Sequence, residues 1–296
     1  MASESYPATA TTTDPAGNPT PLPGLGVAPL SALDLGPADF IHAAHAAGYS
    51  AVGLRVEPVS PTDPPFPGDR QSPEFAGIRE ALNQTGLEVL DIEVLSVRED
   101  TGPDRWLPIL EIGAELGASY INVAAEIPPF SRFEDIVGEL TSDAGTFGLT
   151  PVLEPVAFRP LNSFDRAVEI SRSTGCAVIL DVLHYLRTHT SLSTVAGNRD
   201  LFPIFQICDA PGRPPSAADD LASAVQETAD LIAEARSERL LPGDAAGAAP
   251  IKQLLNILGP ATRISVEIPS VTLRSGSSGP EYLRFLHGAV SRYLTE

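Results

Sequence analysis

The chain has 296 residues, 43% of them hydrophobic, which is enough for one large core and within the range of a single α/β barrel. Its 19 Lys and Arg stand against 38 Asp and Glu, a formal charge of -19. That balance repels polyphosphate, so it argues against nucleic acid or an anionic membrane surface as partner and favours small neutral substrates and bound cations.

Residues 1–23 are rich in Thr, Ala, Pro and Ser and nearly free of large apolar side chains. Such a segment cannot bury enough surface to offset the entropy of ordering, so a flexible, disordered N-terminal tail is expected, with one domain over 24–296. A first strand is expected at 25–30. One unit then repeats: a helical pattern, a glycine and a β-branched apolar run. Gly48 precedes Ser50-Ala-Val-Gly-Leu-Arg55, Gly86 precedes Leu87-Glu-Val-Leu-Asp-Ile-Glu93, and Gly117 precedes Ala118-Ser-Tyr-Ile-Asn-Val-Ala-Ala-Glu126. Gly148 precedes Leu149-Thr-Pro-Val-Leu-Glu154, and Gly175 precedes Cys176-Ala-Val-Ile-Leu-Asp181. Each glycine reads as the left-handed residue that ends a helix and turns the chain into the next strand. Strands at 201–208 and 264–268 bring the number to eight, and amphipathic helices are expected at 38–47, 73–84, 103–116, 133–147 and 217–236.

Strand–helix alternation implies a parallel sheet with right-handed crossovers, and eight units of this length fit a single (β/α)8 TIM barrel. An open doubly wound sheet is the alternative. It would carry a Gly-rich phosphate loop after its first strand, which Gly24-Leu-Gly26 is not. No apolar run reaches about 18 residues and no basic-then-apolar leader is visible, so neither a membrane span nor a secretory signal is expected. Cys176 and Cys208, the only cysteines, sit in apolar strand runs, and reduced cytoplasm is the expected compartment.

Catalytic groups of a parallel barrel gather at the C-terminal ends of its strands. The residues ending the apolar runs are Arg55, Glu93, Glu126, Glu154, Asp181, Gln206 with Asp209, and Glu267. So many carboxylates on one mouth would repel one another unless a cation neutralised them, which points to a divalent metal. Arg55 and Glu93 are placed on the same rim to contact substrate. Four motifs, Val152-Leu-Glu-Pro155, Ile179-Leu-Asp-Val-Leu-His184, Phe205-Gln-Ile-Cys-Asp-Ala210 and Ser265-Val-Glu-Ile-Pro269, fall on successive strands, and Arg239-Leu-Leu-Pro-Gly-Asp244 precedes the last unit.

In these motifs the chain resembles the sugar phosphate isomerase/epimerase family, with its xylose-isomerase-like barrel, over about residues 25–294. The resemblance implies one divalent ion on Glu154, Asp181, Gln206 and Glu267. Gln206 stands where the family more often has His, and three carboxylates with an amide oxygen form a hard donor set that favours Mn²⁺ or Mg²⁺. An ion pair with a neighbouring barrel arginine is the competing role for the glutamates.

The implied reaction is isomerisation or epimerisation by proton abstraction beside a carbonyl of a sugar-like or cyclic polyol substrate. Glu154 and Glu267 would serve as ligand and acid/base, and His184 would donate to the developing oxyanion. A lyase or dehydratase using the same enolate chemistry, including elimination from keto-glycosides, is the alternative. Arg187 follows His184 on the same loop, and Arg213 is the counterpart of an arginine that these epimerases carry after the seventh strand; both are expected to bind substrate, with an ion pair as the competing role for Arg187. Another family glutamate after the fifth strand is missing, since the segment reads Val156-Ala-Phe-Arg-Pro160; this implies a less hydroxylated substrate. Trp106 and Phe158 are candidate pocket walls. A three-metal nuclease of the same fold would need many histidines, and the chain has five. A barrel that binds without catalysing is the remaining reading. Homodimers and homotetramers are common in the family.

Overall fold

A computed structural model describes residues 24–60, 63–213 and 220–296. The tail expected at 1–23 lies outside the described residues. Eight parallel strands close into a barrel in the order β1 to β8. They are β1 Gly26–Val27, β2 Ala51–Arg55, β3 Glu88–Val97, β4 Tyr120–Ala125, β5 Thr150–Leu153, β6 Ala177–Asp181, β7 Ile204–Ile207 and β8 Arg263–Val266. The (β/α)8 barrel is therefore the observed fold, and the open sheet is excluded because β1 pairs with both β2 and β8.

The helices of the five glycine-ended units are α1 Pro37–Ala47, α2 Pro73–Thr85, α3 Pro103–Leu116, α4 Ser131–Thr146 and α5 Phe164–Thr174. They end as the glycine spacing predicts: Gly48, Gly86, Gly117, Gly148 and Gly175 all have φ between 68° and 100°, a region where a β-carbon would clash. Their starts are set by capping. Ser72 accepts the Phe75 N–H at 3.1 Å, and Ser163 accepts the Arg166 N–H at 3.3 Å, each satisfying an amide that the first helical turn leaves open. After β6 come the short α6 Val182–Arg187 and α7 Leu192–Gly197. The long connection after β7 holds α8 Leu221–Ser237 and α9 Ile251–Leu258, and α10 Val271–Arg274 and α11 Gly279–Thr295 follow β8. The helix expected from 217 is seen from Leu221, residues 217–219 being outside the described set. Leu201, expected in a strand, instead ends a 3-10 turn over Arg199–Leu201.

Strand alternation gives the barrel two different surfaces. Outward-facing Val52, Ile92, Ile121, Leu153, Val178, Leu180 and Phe205 are buried against the helices. The fit is close at Gly113 of α3, where a β-carbon would stand 2.6 Å from Leu149 and 2.7 Å from Ile92. Inside, Ala51, Leu90, Val152, Ile179 and Ile204 pack into a separate apolar layer. This floor closes the barrel below. Two residues further along β5, β6 and β7 the same inward face carries Glu154, Asp181 and Gln206. Among the described residues no helix is long and apolar enough to cross a membrane.

Candidate metal centre at the barrel mouth

The polar layer above the floor is assembled by strand register. Asp181, Gln206 and Ser265 are in line across β6, β7 and β8, and Glu267 lies just beyond β8. One carboxylate oxygen from each of Glu154, Asp181 and Glu267 lies within 4.8 Å of the other two. Opposite ligands of an oxygen-bound divalent ion stand up to about 5 Å apart, so this spacing suits a common cation. The fourth expected ligand, Gln206, is buried, and its Oε1 has no hydrogen-bond partner among the described residues. A buried orphan oxygen is costly unless something positive meets it.

The three carboxylates each have neighbours that fix or face them. Asn122 on β4 donates from Nδ2 to Glu154 Oε2 at 2.9 Å. Asp181 caps α6, its Oδ1 accepting the His184 N–H at 2.9 Å, so one side chain both ends the strand and positions the histidine. Its Oδ2 pairs with Arg239 Nη1 at 2.5 Å, and Arg239 Nη2 lies 2.9 Å from Glu267 Oε2 without hydrogen-bond alignment. The guanidinium is 1% exposed. The pairing of barrel carboxylates with an arginine is thus present at Asp181 and Glu267, and Glu154 stands outside it.

Charge decides what the site lacks. Asp91, Glu93, Glu154, Asp181 and Glu267 interact electrostatically across the barrel, with Arg55 and Arg239 as the guanidinium groups set among them. Burial, then the charge of Glu93, raises Asp91 well above the carboxylate range. Desolvation and the neighbouring Asp181 push Glu154 up to about 7. Burial pushes Asp181 upward, but Arg239, His184 and the His184 N–H hydrogen bond together outweigh it and hold the group below its ordinary value. Burial leaves Glu267 raised despite the same guanidinium. Carboxylates that must take up protons to coexist form a donor set suited to a divalent cation, which would lower those pKa values again. The residues present fit the metal on these grounds.

A pH prediction follows for the metal-free protein. Below its ordinary value of 4.5, Glu154 is protonated in both folded and unfolded chains. Above it the unfolded chain ionises freely while the folded one resists, so stability falls until about pH 7. Glu154→Gln carries no such loss. Chemical denaturation is expected to show the variant gaining on the native protein between pH 4.5 and 7, and a pH-independent difference would refute the assignment. His184, lowered by burial to about 4, gains stability as pH rises, but this trend is common to both proteins and cancels in the comparison.

His184 is buried, its ring edge-on to Phe158 at 5.8 Å. Its Nδ1 accepts the Ala157 N–H at 3.4 Å, so the neutral ring carries its proton on Nε2 and is a donor there. Arg55 bridges Glu93 at 2.7 Å and Asp63 at 3.1 Å, placing both rim residues inside an ion-pair network. Arg187 is turned to Glu234, with Nε to Oε2 at 2.7 Å, and also donates to the Pro211 carbonyl at 2.9 Å. Arg213 is exposed. Neither of these two arginines is brought to the carboxylates among the described contacts. Glu126 pairs with Arg159. Asp209 Oδ1 accepts backbone N–H groups of Ala210, Ala248 and Ala249 at 2.8–3.0 Å, which makes it a loop-fixing residue. Trp106 is fully buried in α3 with its indole N–H on Asp143. Its expected place on a pocket wall is corrected by that packing, whereas Phe158 does stand beside His184. Asn122, Asp91 and Arg239 join the site without a role expected from the sequence. A mid-strand Asn or Asp in an apolar run was the available signal for the first two.

No protein-family profile and no curated protein matches the chain. Solved structures do. An IolI protein with a bound zinc atom superposes with a TM-score of 0.72 at 17% identity, covering 92% of this chain and 100% of that one. The probable 3-DHS dehydratase AsbF of Bacillus anthracis gives 0.65 at 12%, covering 90% and 98%. A xylose isomerase-like TIM barrel protein from Mycobacterium smegmatis, in complex with magnesium, gives 0.55 at 14%, covering 92% and 96%. The chain has the xylose isomerase-like TIM-barrel fold. In this chain the acidic cluster occupies the C-terminal mouth, the end at which barrel enzymes place their chemistry.

Proposed function

We propose that this protein is a divalent-metal-dependent isomerase or epimerase that moves a proton at a carbon beside a carbonyl in a neutral, sugar-like or cyclic polyol substrate. The observation carrying this reading is the convergence of Glu154, Asp181 and Glu267 within 4.8 Å beside the orphan oxygen of Gln206. A bound ion on these four residues would polarise the carbonyl and lower the barrier to removing the adjacent proton. Glu154 and Glu267 come from strands β5 and β8, so they approach the mouth centre from different sides. One takes the proton and the other supplies one to the opposite face. His184 offers its Nε2–H to the oxygen on which negative charge develops. Asn122 and Asp181 hold that geometry, the first by fixing Glu154 and the second by fixing the start of α6. The likeness to magnesium- and zinc-bound structures supports a cation here, and the hard donor set favours Mn²⁺ or Mg²⁺.

The lyase alternative rests on the same proton abstraction followed by loss of a β-substituent. His184 favours it to the extent that an Nε2–H can protonate a leaving oxygen, and the superposition on a probable dehydratase is consistent with it. The test is incubation of Mn²⁺-loaded protein with ketoses and inososes in deuterium oxide, followed by mass spectrometry. Deuterium in recovered substrate or its epimer is the expected result, and loss of water or an aglycone identifies the lyase. A full panel with neither exchange nor elimination would defeat both.

A further inference from the structure

Only Glu234 and Ala235 of the long helix α8 are buried. The rest of this helix stands off the barrel, with Leu221, Val225 and Ile232 exposed. Its last turn is what touches the mouth. Residues two apart on a helix point about 200° from each other, and here that separation is used. Glu234 pairs with Arg187 on α6, after β6, and Arg236 pairs at 2.6 Å with Asp63, in the loop after β2. In an eight-stranded ring β2 and β6 lie opposite each other. The last turn of α8 is therefore fastened at both ends of a diameter, like a bar laid over the opening.

Beneath the bar Asp181, Gln206, Glu267 and Arg239 are each 3% exposed or less, while Glu154 on the β5 side is only half-buried. Just past the helix the backbone is anchored: Arg239 N–H donates to the Pro269 carbonyl at 3.1 Å, and Leu240 and Asp209 exchange backbone hydrogen bonds at 2.9 Å. The guanidinium of Arg239 is in turn tied back to the bar, Nε donating to the Ala235 carbonyl at 3.0 Å. One end of the segment is thus a fixed pivot, and the other is held by two side-chain ion pairs, a hydrogen bond from Arg236 to Ser60 Oγ at 3.4 Å and the burial of the small Ala235 side chain, contacts few enough for a local opening unit.

We propose that the last turn of α8 is a hinged strap, pivoting at Glu238–Leu240, whose release from Arg187 and Asp63 admits ligands to the carboxylate site. Its opening also breaks the Arg239–Ala235 link and frees the guanidinium to leave the carboxylates. This gating goes beyond the reaction proposed above and holds whichever ligand the mouth admits.

Two native thiols make the strap testable. Cys208 is fully buried with its Sγ 3.5 Å from Arg239 Nη1, under the strap, while Cys176 is buried at the opposite end of the barrel wall, before β6. Labelling with methyl methanethiosulfonate, read for each cysteine by peptide mapping, compares local with global opening in one molecule. Arg236→Gln and Glu234→Gln are each expected to raise the Cys208 rate relative to Cys176 on the order of ten-fold, the change that losing one charge-assisted hydrogen bond brings. In the native protein the Cys208 rate should be nearly independent of low urea. An unchanged Cys208-to-Cys176 ratio in both variants, or parallel urea dependence of the two thiols from zero denaturant, overturns the strap. The assay uses neither metal nor substrate, so failure of the proposed reaction leaves it standing.

Discussion

Replacing Arg239 by Met lowers the stability of the metal-free protein by about 3–5 kcal/mol, the usual cost of stripping one partner from a buried ion pair. The guanidinium is the positive charge nearest both Asp181 and Glu267. Methionine fills much the same volume, so packing loss is small and the effect reads charge. Mn²⁺ should return most of the lost stability, since a ligand that binds only the folded chain stabilises it by mass action. The native protein should gain less from the same metal because its arginine already neutralises two of the three ligands. Urea denaturation with and without Mn²⁺ measures all four states. A variant as stable as the native chain without metal would mean that the carboxylates relieve one another by protonation alone, and Arg239 would lose its place as counter-ion.

Under saturating Mn²⁺, Glu267→Gln and Glu154→Gln are each expected to reduce solvent-deuterium exchange roughly 10²–10⁴-fold, the range for removing a positioned general acid or base. The substitutions keep shape and one oxygen donor, so elemental analysis of the same samples separates lost metal from lost proton transfer. Neither variant should unfold, because each removes a negative charge from a crowded site. Full exchange in a metal-replete variant would remove that residue from the chemistry.

The barrel was legible because its signals are local. A glycine that must take positive φ marks the end of a helix whatever packs around it, and five of them mark the period. Glu154, Asp181 and Glu267 were legible for a related reason: an acid closing a run of β-branched residues in a parallel sheet has only the mouth to face. What sequence could not carry was pairing across the barrel. An ion pair was a competing expectation for Arg187, but nothing adjacent to it announces Glu234 as the partner, and nothing adjacent to Arg55 announces Asp63. Arg239 shows the same limit from the other side. Its motif was visible, yet a guanidinium lying between Asp181 and Glu267, 58 and 28 residues away in the chain, is a property of closure. Strand ends were blurred for another reason: Leu201 continues the apolar run of β7 but folds into a 3-10 turn that leads the chain back to Ile204.

The layer of Ala51, Leu90, Val152, Ile179 and Ile204 seals the barrel under the carboxylates. Ligands of the carboxylates therefore come and go at the C-terminal mouth, the end away from this layer.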